Sequence, residues 1–104
     1  MMYELILSDA AILCGVSVDE VQSKTQRIEI VRARQLAWYI LHKKYGWSYN
    51  TIARCTKRDH TTIIHGINKI NDLMLMHSDV RHIVDELYQI NYAEIIRTGK
   101  GPNL

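Results

Sequence analysis

At 104 residues the chain has the length of one domain with short tails, enough to bury a core without staples. With 47% hydrophobic and 23% charged residues it reads as an ordinary globule, which excludes a disordered chain. No apolar run reaches the length of a membrane span, and the N-terminus lacks the basic segment and cleavage site of a signal peptide. The two cysteines, Cys14 and Cys55, form no CxxC pair and read as free thiols in a reducing cytoplasm. The net charge of +2 conceals an asymmetry: Arg27 to Lys69 holds nine Lys or Arg against Glu29 and Asp59, or +7, and the remainder sums to −5. Solvated helix faces sort charge in this way too; the functional reading is a basic middle that meets phosphates.

Residues 1–7 begin with the apolar run Leu5-Ile6-Leu7, and Ser8 or Asp9 is expected to start a short helix that Gly15 ends. Ser17 and Glu20 then have capping-box spacing and Val16 and Val21 the spacing of a hydrophobic staple, predicting a second short helix that stops near Ser23. After a polar loop, Ser23 to Glu29, a long helix is predicted from Ile30 to Tyr45, with Gly46 as its C-terminal cap. Its inner face is Ile30, Ala33, Ala37, Ile40 and Leu41, and Arg32, Arg34, Lys43 and Lys44 are expected around its outside.

Ser48 is a cap and Trp47 a staple for another short helix with Ile52, Ala53 and Cys55 on one face. A tight connection, Thr56 to Arg58, leads into a helix whose stripe is Ile63, Ile67, Ile70 and Met74 and whose N-cap is Asp59. The first turn of that helix is wholly polar. Short helix, short turn and longer helix make a helix-turn-helix over about 48–75, although the usual turn glycine is missing. A final helix is expected from Val80 to about Arg97, capped by Ser78 or Asp79, with Val80, Ile83, Val84, Leu87, Tyr88, Asn91 and Ile95 as its stripe. The expected architecture is all-α, a bundle of about six helices in one domain over 1–97, followed by a flexible tail over 98–104.

Catalytic and metal chemistry lack their residue patterns. His60 has isoleucines at i+3 and i+4, and His65 lies more than a turn away, so no His-x-x-x-His pair exists. Asp59, His60 and Thr61 offer acid, base and hydroxyl, but adjacent residues on a helix turn point in different directions and cannot form a relay. No glycine-rich phosphate loop occurs. No enzyme activity, metal, cofactor or nucleotide is therefore expected. Trp38, Tyr39, Trp47 and Tyr49 allow a stacking platform for single strands, but core packing explains them at least as well. First-turn residues of the helix after Asp59 can simply fill a helix start. Histidine and threonine are mediocre helix formers, however, and their side chains suit base edges and phosphates, as an aspartate suits cytosine N4.

The segments Arg32-Ala33-Arg34-Gln35-Leu36-Ala37, Ser48-Tyr49-Asn50-Thr51-Ile52-Ala53 and Arg58-Asp59-His60-Thr61-Thr62-Ile63-Ile64-His65 resemble the C-terminal DNA-binding domain of the bacterial replication initiator DnaA, a similarity running from about Ala10 to about Tyr92. The resemblance implies a helix-turn-helix related to that of the Trp repressor, binding as a monomer to duplex DNA at an asymmetric box of the TTATCCACA type. It implies that Asp59, His60, Thr61 and Thr62 enter the major groove. It also implies that Lys24, Gln26, Arg27 and Arg34 meet phosphates or the adjacent minor groove; Lys57 and Arg58, by their place at the turn, are expected near the phosphates beside the groove, Arg58 as part of the family signature. Lys57 stands where the family commonly has glycine, Ala33 where it has proline, and the loop before the long helix carries fewer arginines. The chain lacks room for an ATPase domain, so a free-standing cytoplasmic reader is expected, nucleoid-associated or encoded by a mobile element, in replication or transcription control. The alternative is a helical protein-interaction module that keeps the scaffold without the DNA binding.

Overall fold

A computed structural model describes residues 1–99; residues 100–104 of the expected tail lie outside the described residues. Seven helices follow one another without a strand among the described residues: α1 (Met2–Cys14), α2 (Val18–Gln22), α3 (Ile28–Lys43), α4 (Tyr49–Thr56), α5 (His60–Met76), α6 (Ser78–Gln89) and α7 (Tyr92–Thr98).

Helix α3 is the axle. It packs against α1, α2, α4, α5 and α6, so the expected inner face is only part of what it hides. Ile30, Ala33, Ala37, Ile40 and Leu41 are buried, and so are Leu36, Trp38 and Tyr39 and the charged Arg34. Gly46, at φ 72, turns the chain out of α3, with its N–H on the His42 carbonyl and that of Trp47 on Leu41. Both bonds occupy carbonyls that the end of α3 leaves open, although α3 itself stops at Lys43 with Lys44 in the cap position, two residues short of the expected Gly46 cap.

The first helix starts earlier than its sequence cap suggests. Ile6, Leu7, Ala10 and Ala11 share one buried face against α3, and with no glycine or proline before Gly15 that burial extends α1 back to Met2, past Ser8. Helix α2 begins on the expected capping box: the Ser17 hydroxyl accepts from Glu20 N–H at 3.1 Å and the Ser17 N–H donates to Glu20 Oε1 at 3.2 Å. Ser48 caps α4 by accepting from the Thr51 N–H at 3.1 Å.

At the other end, the single expected helix is two. Helix α6 stops at Gln89, and Asn91, expected in the apolar stripe, instead caps α7 by accepting from Glu94 N–H at 3.0 Å. The cap of α6 is His77, without a side-chain bond, rather than Ser78 or Asp79. The Tyr92 hydroxyl donates to Asp9 at 2.6 Å and so ties α7 to α1. Burial and the Asp9 carboxylate push that phenol well above its usual pKa, so it remains a donor. Thr98 ends α7, and Gly99 follows in the left-handed region.

Two backbone positions fix the helix-turn-helix. Lys57, between α4 and α5, has φ 57 and ψ 42, the one non-glycine residue with positive φ among the described residues. The Arg58 N–H closes the α4 end on the Ala53 carbonyl at 3.0 Å. The turn thus has the geometry that a glycine normally serves, held by a lysine. Gly66 in α5 is buried against α3: a Cβ there would lie 2.7 Å from Trp38 ring carbons and 3.1 Å from the Gln35 side chain. Absence of a side chain is what lets the two helices approach so closely.

These positions give two expectations. Lys57→Gly removes left-handed strain of ~1–2 kcal/mol, partly offset by greater unfolded-chain freedom, so denaturant titration should show a gain of up to ~1 kcal/mol; a loss would contradict the strained turn. Gly66→Ala improves helix propensity by up to ~1 kcal/mol but forces a methyl into the indole. Overpacking should win and leave the protein less stable by roughly 1–2 kcal/mol, and thermal unfolding at or above the wild-type midpoint would refute the tight crossing.

Candidate nucleic-acid interface

Helix α5 brings a bare polar end to the surface. Asp59 occupies the N-cap position, but its carboxylate makes no capping bond. Instead the side chain is 72% exposed, with Oδ1 3.7 Å from His60 Nδ1. The expected capping role therefore falls to backbone geometry alone. His60, Thr61 and Thr62 are exposed, and among the described residues no acceptor takes their three N–H groups; the first bond of the helix is Ile63 N–H to the Asp59 carbonyl at 3.2 Å. Unpaired N–H groups at the positive end of a 17-residue helix attract an anion.

Arg58 sits at the centre of this face. Half-buried, it holds its guanidinium carbon 5.9 Å from the centre of the Trp38 ring, a cation–π geometry. It borders three shallow concavities on this face and a fourth beside α1. One, of about 390 Å³, lies between α3, α5 and the loop before α3, with Gln26, Arg32, Gln35, Thr62, His65 and Lys69 on its walls and Trp38 in its lining. The second lies between α4 and the start of α5, among Asn50, Arg54, Asp59 and His60. Lys24, Gln26, Thr56 and Lys57 line the third. The fold therefore gathers Lys24, Gln26, Lys57 and Arg58 with the Asp59–Thr62 turn, joining the loop to α5.

Two of the predicted residues stand differently. Arg27 is exposed but engaged: its guanidinium bonds Glu20 Oε2 at 3.1 Å and Glu29 Oε1 at 3.0 Å. Both carboxyls lie below the usual range. For Glu20 the chief cause is the hydrogen bonding from Ser17, then Arg27; for Glu29 it is its own backbone N–H, then Arg27. Both acids are therefore charged at neutral pH and hold Arg27 against the protein.

Arg34, expected on the outside of its helix and among the phosphate or groove contacts, is 2% exposed. Its Nε donates to the Val21 carbonyl and its Nη1 to that of Thr25, both at 2.8 Å. Its Nη2 donates to Ser23 at 2.5 Å and Glu20 at 3.5 Å. The side chain points inward, beneath the loop, where among the described residues the Ser23 and Thr25 carbonyls are reached by no backbone N–H.

Four groove residues carried no assignment from sequence: Arg32, Gln35, His65 and Lys69. A signal existed. Thr62, His65 and Lys69 recur at i, i+3 and i+7, and Arg32 and Gln35 are three apart, so each set shares one helix face. Arg32 Nη1 donates to Gln35 Oε1 at 2.7 Å. What sequence did not supply was that α3 and α5 cross with these faces on one side. No group of three or more His, Cys, Asp or Glu side chains that could hold a metal ion occurs among the described residues, and no described helix is long and apolar enough to cross a membrane.

Comparison with known proteins adds an independent line. The chain is 39% identical over 67 residues to the chromosomal replication initiator protein DnaA of Kosmotoga olearia, covering 64% of this chain and 15% of the relative. It is 34% identical over 91 residues to the same-named protein of Thermomicrobium roseum, covering 83% of this chain and 20% of the relative. With that of Pseudothermotoga lettingae it shares 33% identity over 70 residues, 67% of this chain and 16% of the relative. The chain thus spans a fifth or less of the length of these relatives. The family described as bacterial dnaA protein helix-turn-helix matches residues 3–70, from the first turn of α1 to the middle of α5. By that match, over more than half its length and across α4, the turn and the first part of α5, the chain belongs to the bacterial DnaA helix-turn-helix family.

Proposed function

We propose that this chain is a sequence-specific reader of duplex DNA that binds, as a monomer, an asymmetric box of the TTATCCACA type and serves replication or transcription control on DNA in the cytoplasm. The observation that carries this reading is the first turn of α5, with Asp59, His60, Thr61 and Thr62 exposed and three backbone N–H groups unpaired.

The chemistry follows from that turn. A helix fits the major groove, and residues at its N-terminus face base edges. The Asp59 carboxylate, free of capping, is an acceptor for cytosine N4. Threonine brings a hydroxyl for base or phosphate and a methyl for thymine, and His60 a ring nitrogen for either. Lys57 and Arg58 flank the turn and meet phosphates, with the first-turn N–H groups holding a further phosphate oxygen. The concavity between Gln26 and Lys69 continues this basic track towards the loop, where Lys24, Gln26 and Arg27 meet the adjacent minor groove. Arg27 must leave Glu20 and Glu29 to do so.

Selection of bound sequences from a random duplex pool tests the reading directly: a TTATCCACA-like consensus is expected. Absence of binding even at low salt, where counterion release favours any phosphate-driven complex, would overturn it in favour of a protein-interaction module.

Two substitutions refine it. His60→Ala should weaken box binding by about 1–3 kcal/mol and relax preference at one base, measured by competition against single-base variants; equal affinity for box and scrambled duplex in wild type and variant would refute the recognition helix. Glu29→Gln removes one anion holding Arg27 and should tighten box binding severalfold at low salt, an advantage that fades as salt rises. Weaker binding would mean that Arg27 serves the fold and not the DNA.

A further inference from the structure

The segment between α2 and α3, residues 23–27, has little structure of its own. Among the described residues, Ser23 donates to the Glu20 carbonyl through both its N–H and its hydroxyl, and Thr25 N–H reaches the Ser23 hydroxyl at 3.3 Å. No backbone N–H reaches the Ser23 or Thr25 carbonyl; both accept from Arg34. The same guanidinium takes the Glu20 and Val21 carbonyls at the end of α2. One side chain thus binds four carbonyls spread over six residues, from a helix position that the core makes rigid: its neighbours Ala33 and Leu36 are fully buried.

A guanidinium suits this task. It presents five N–H donors in a fixed planar fork, and a buried cation needs acceptors on nearly every one of them. Here the acceptors are carbonyl dipoles, two of them at the negative end of α2. No carboxylate takes part. A lysine has three donors on a single nitrogen and cannot span the same set.

We propose that Arg34 is a positioning residue for DNA reading: it fixes the course of the 23–27 loop, so that Lys24 and Gln26 face the same groove as α5, and touches no DNA itself. This rests on the DNA-reading function proposed above. It gives Arg34 a different part from the phosphate or groove contact that the family resemblance implies. Its effect on binding is confined to the part of the site that the loop covers, with the part read by Asp59–Thr62 spared.

The test joins a DNA-free readout to a DNA readout, on the full chain. Trypsin cleaves after Lys24 and Arg27, so nicking there reports the loop in the absence of DNA. Arg34→Met should raise that nicking rate roughly tenfold or more while cleavage after Lys69, in α5, stays at the wild-type rate. In competition binding against a box mutated base by base, preference should fall about tenfold at bases under the loop and persist at bases under α5. Should Arg34→Met fail to fold, Arg34→Lys carries the same comparison, with a smaller effect of the same pattern.

A loop as resistant as wild type, together with a salt dependence of binding shallower by about one unit, would show a direct phosphate contact and overturn the proposal. Nicking and base preference both unchanged, or preference lost equally across the whole box, would overturn it as well. A wild-type chain that binds no duplex at all would sink the DNA reading and the positioning role with it, leaving the trypsin comparison to report only on what Arg34 does for the loop.

Discussion

The contact on which everything else hangs is the crossing of α3 and α5 at Gly66 and Trp38. A helix lying on a surface can roll and slide unless something holds its tip at a fixed height and angle. Here sliding is blocked by fit: the indole of Trp38 fills the space a side chain at residue 66 would occupy, while Ile63, Ile67 and Ile70 bury the stripe on either side. Close packing of this kind resists small displacements because interiors have few voids into which groups can move. The same indole carries Arg58 on its face. A core contact and the most central cation of the surface are thereby one continuous stack.

The surface built on that stack divides labour between stiff and loose parts. Helix α5 supplies side chains on a rigid support. The loop before α3 supplies Lys24 and Gln26 on a strand of backbone that lacks repetitive hydrogen bonding, held from beneath by Arg34 and from outside by the ion pairs of Arg27 with Glu20 and Glu29. The two supports differ in kind. Buried hydrogen bonds to a cation are strong and hard to exchange, whereas exposed ion pairs contribute little and yield to salt or to a better partner. The arrangement fixes where the loop runs while leaving Arg27 able to move.

Much of this was legible in the residues. Gly15, the Ser17–Glu20 box and the Ser48 cap each announce a chain event whose physics is local, and each appears where the sequence places it; Gly46 turns the chain at φ 72, but two residues past the Lys44 cap of α3. The family signature of the 58–65 run marked the tip of α5. What was not legible depended on tertiary context. Arg34 looks like any surface arginine until the carbonyls of a distant loop are seen above it. Ser8 looks like a helix start until burial of Ile6 and Leu7 is known. Asn91 fits an apolar stripe by spacing but caps α7, because a polar amide gains more from an open helix end than from a core position. Lys57 shows no sign in its side chain that it holds a left-handed backbone; only the shortness of the turn demands it.

The open start of α5 has a thermodynamic corollary. A cap is normally worth ~1 kcal/mol to its helix, and here the side chain that would supply it faces solvent. The first turn is thus the least secured part of an otherwise well-anchored helix, and whatever accepts from its three N–H groups completes it. Ligand occupancy and local folding are linked at such a point: an acceptor there does for the helix what Asp59 leaves undone, so whatever binds the turn also finishes building it.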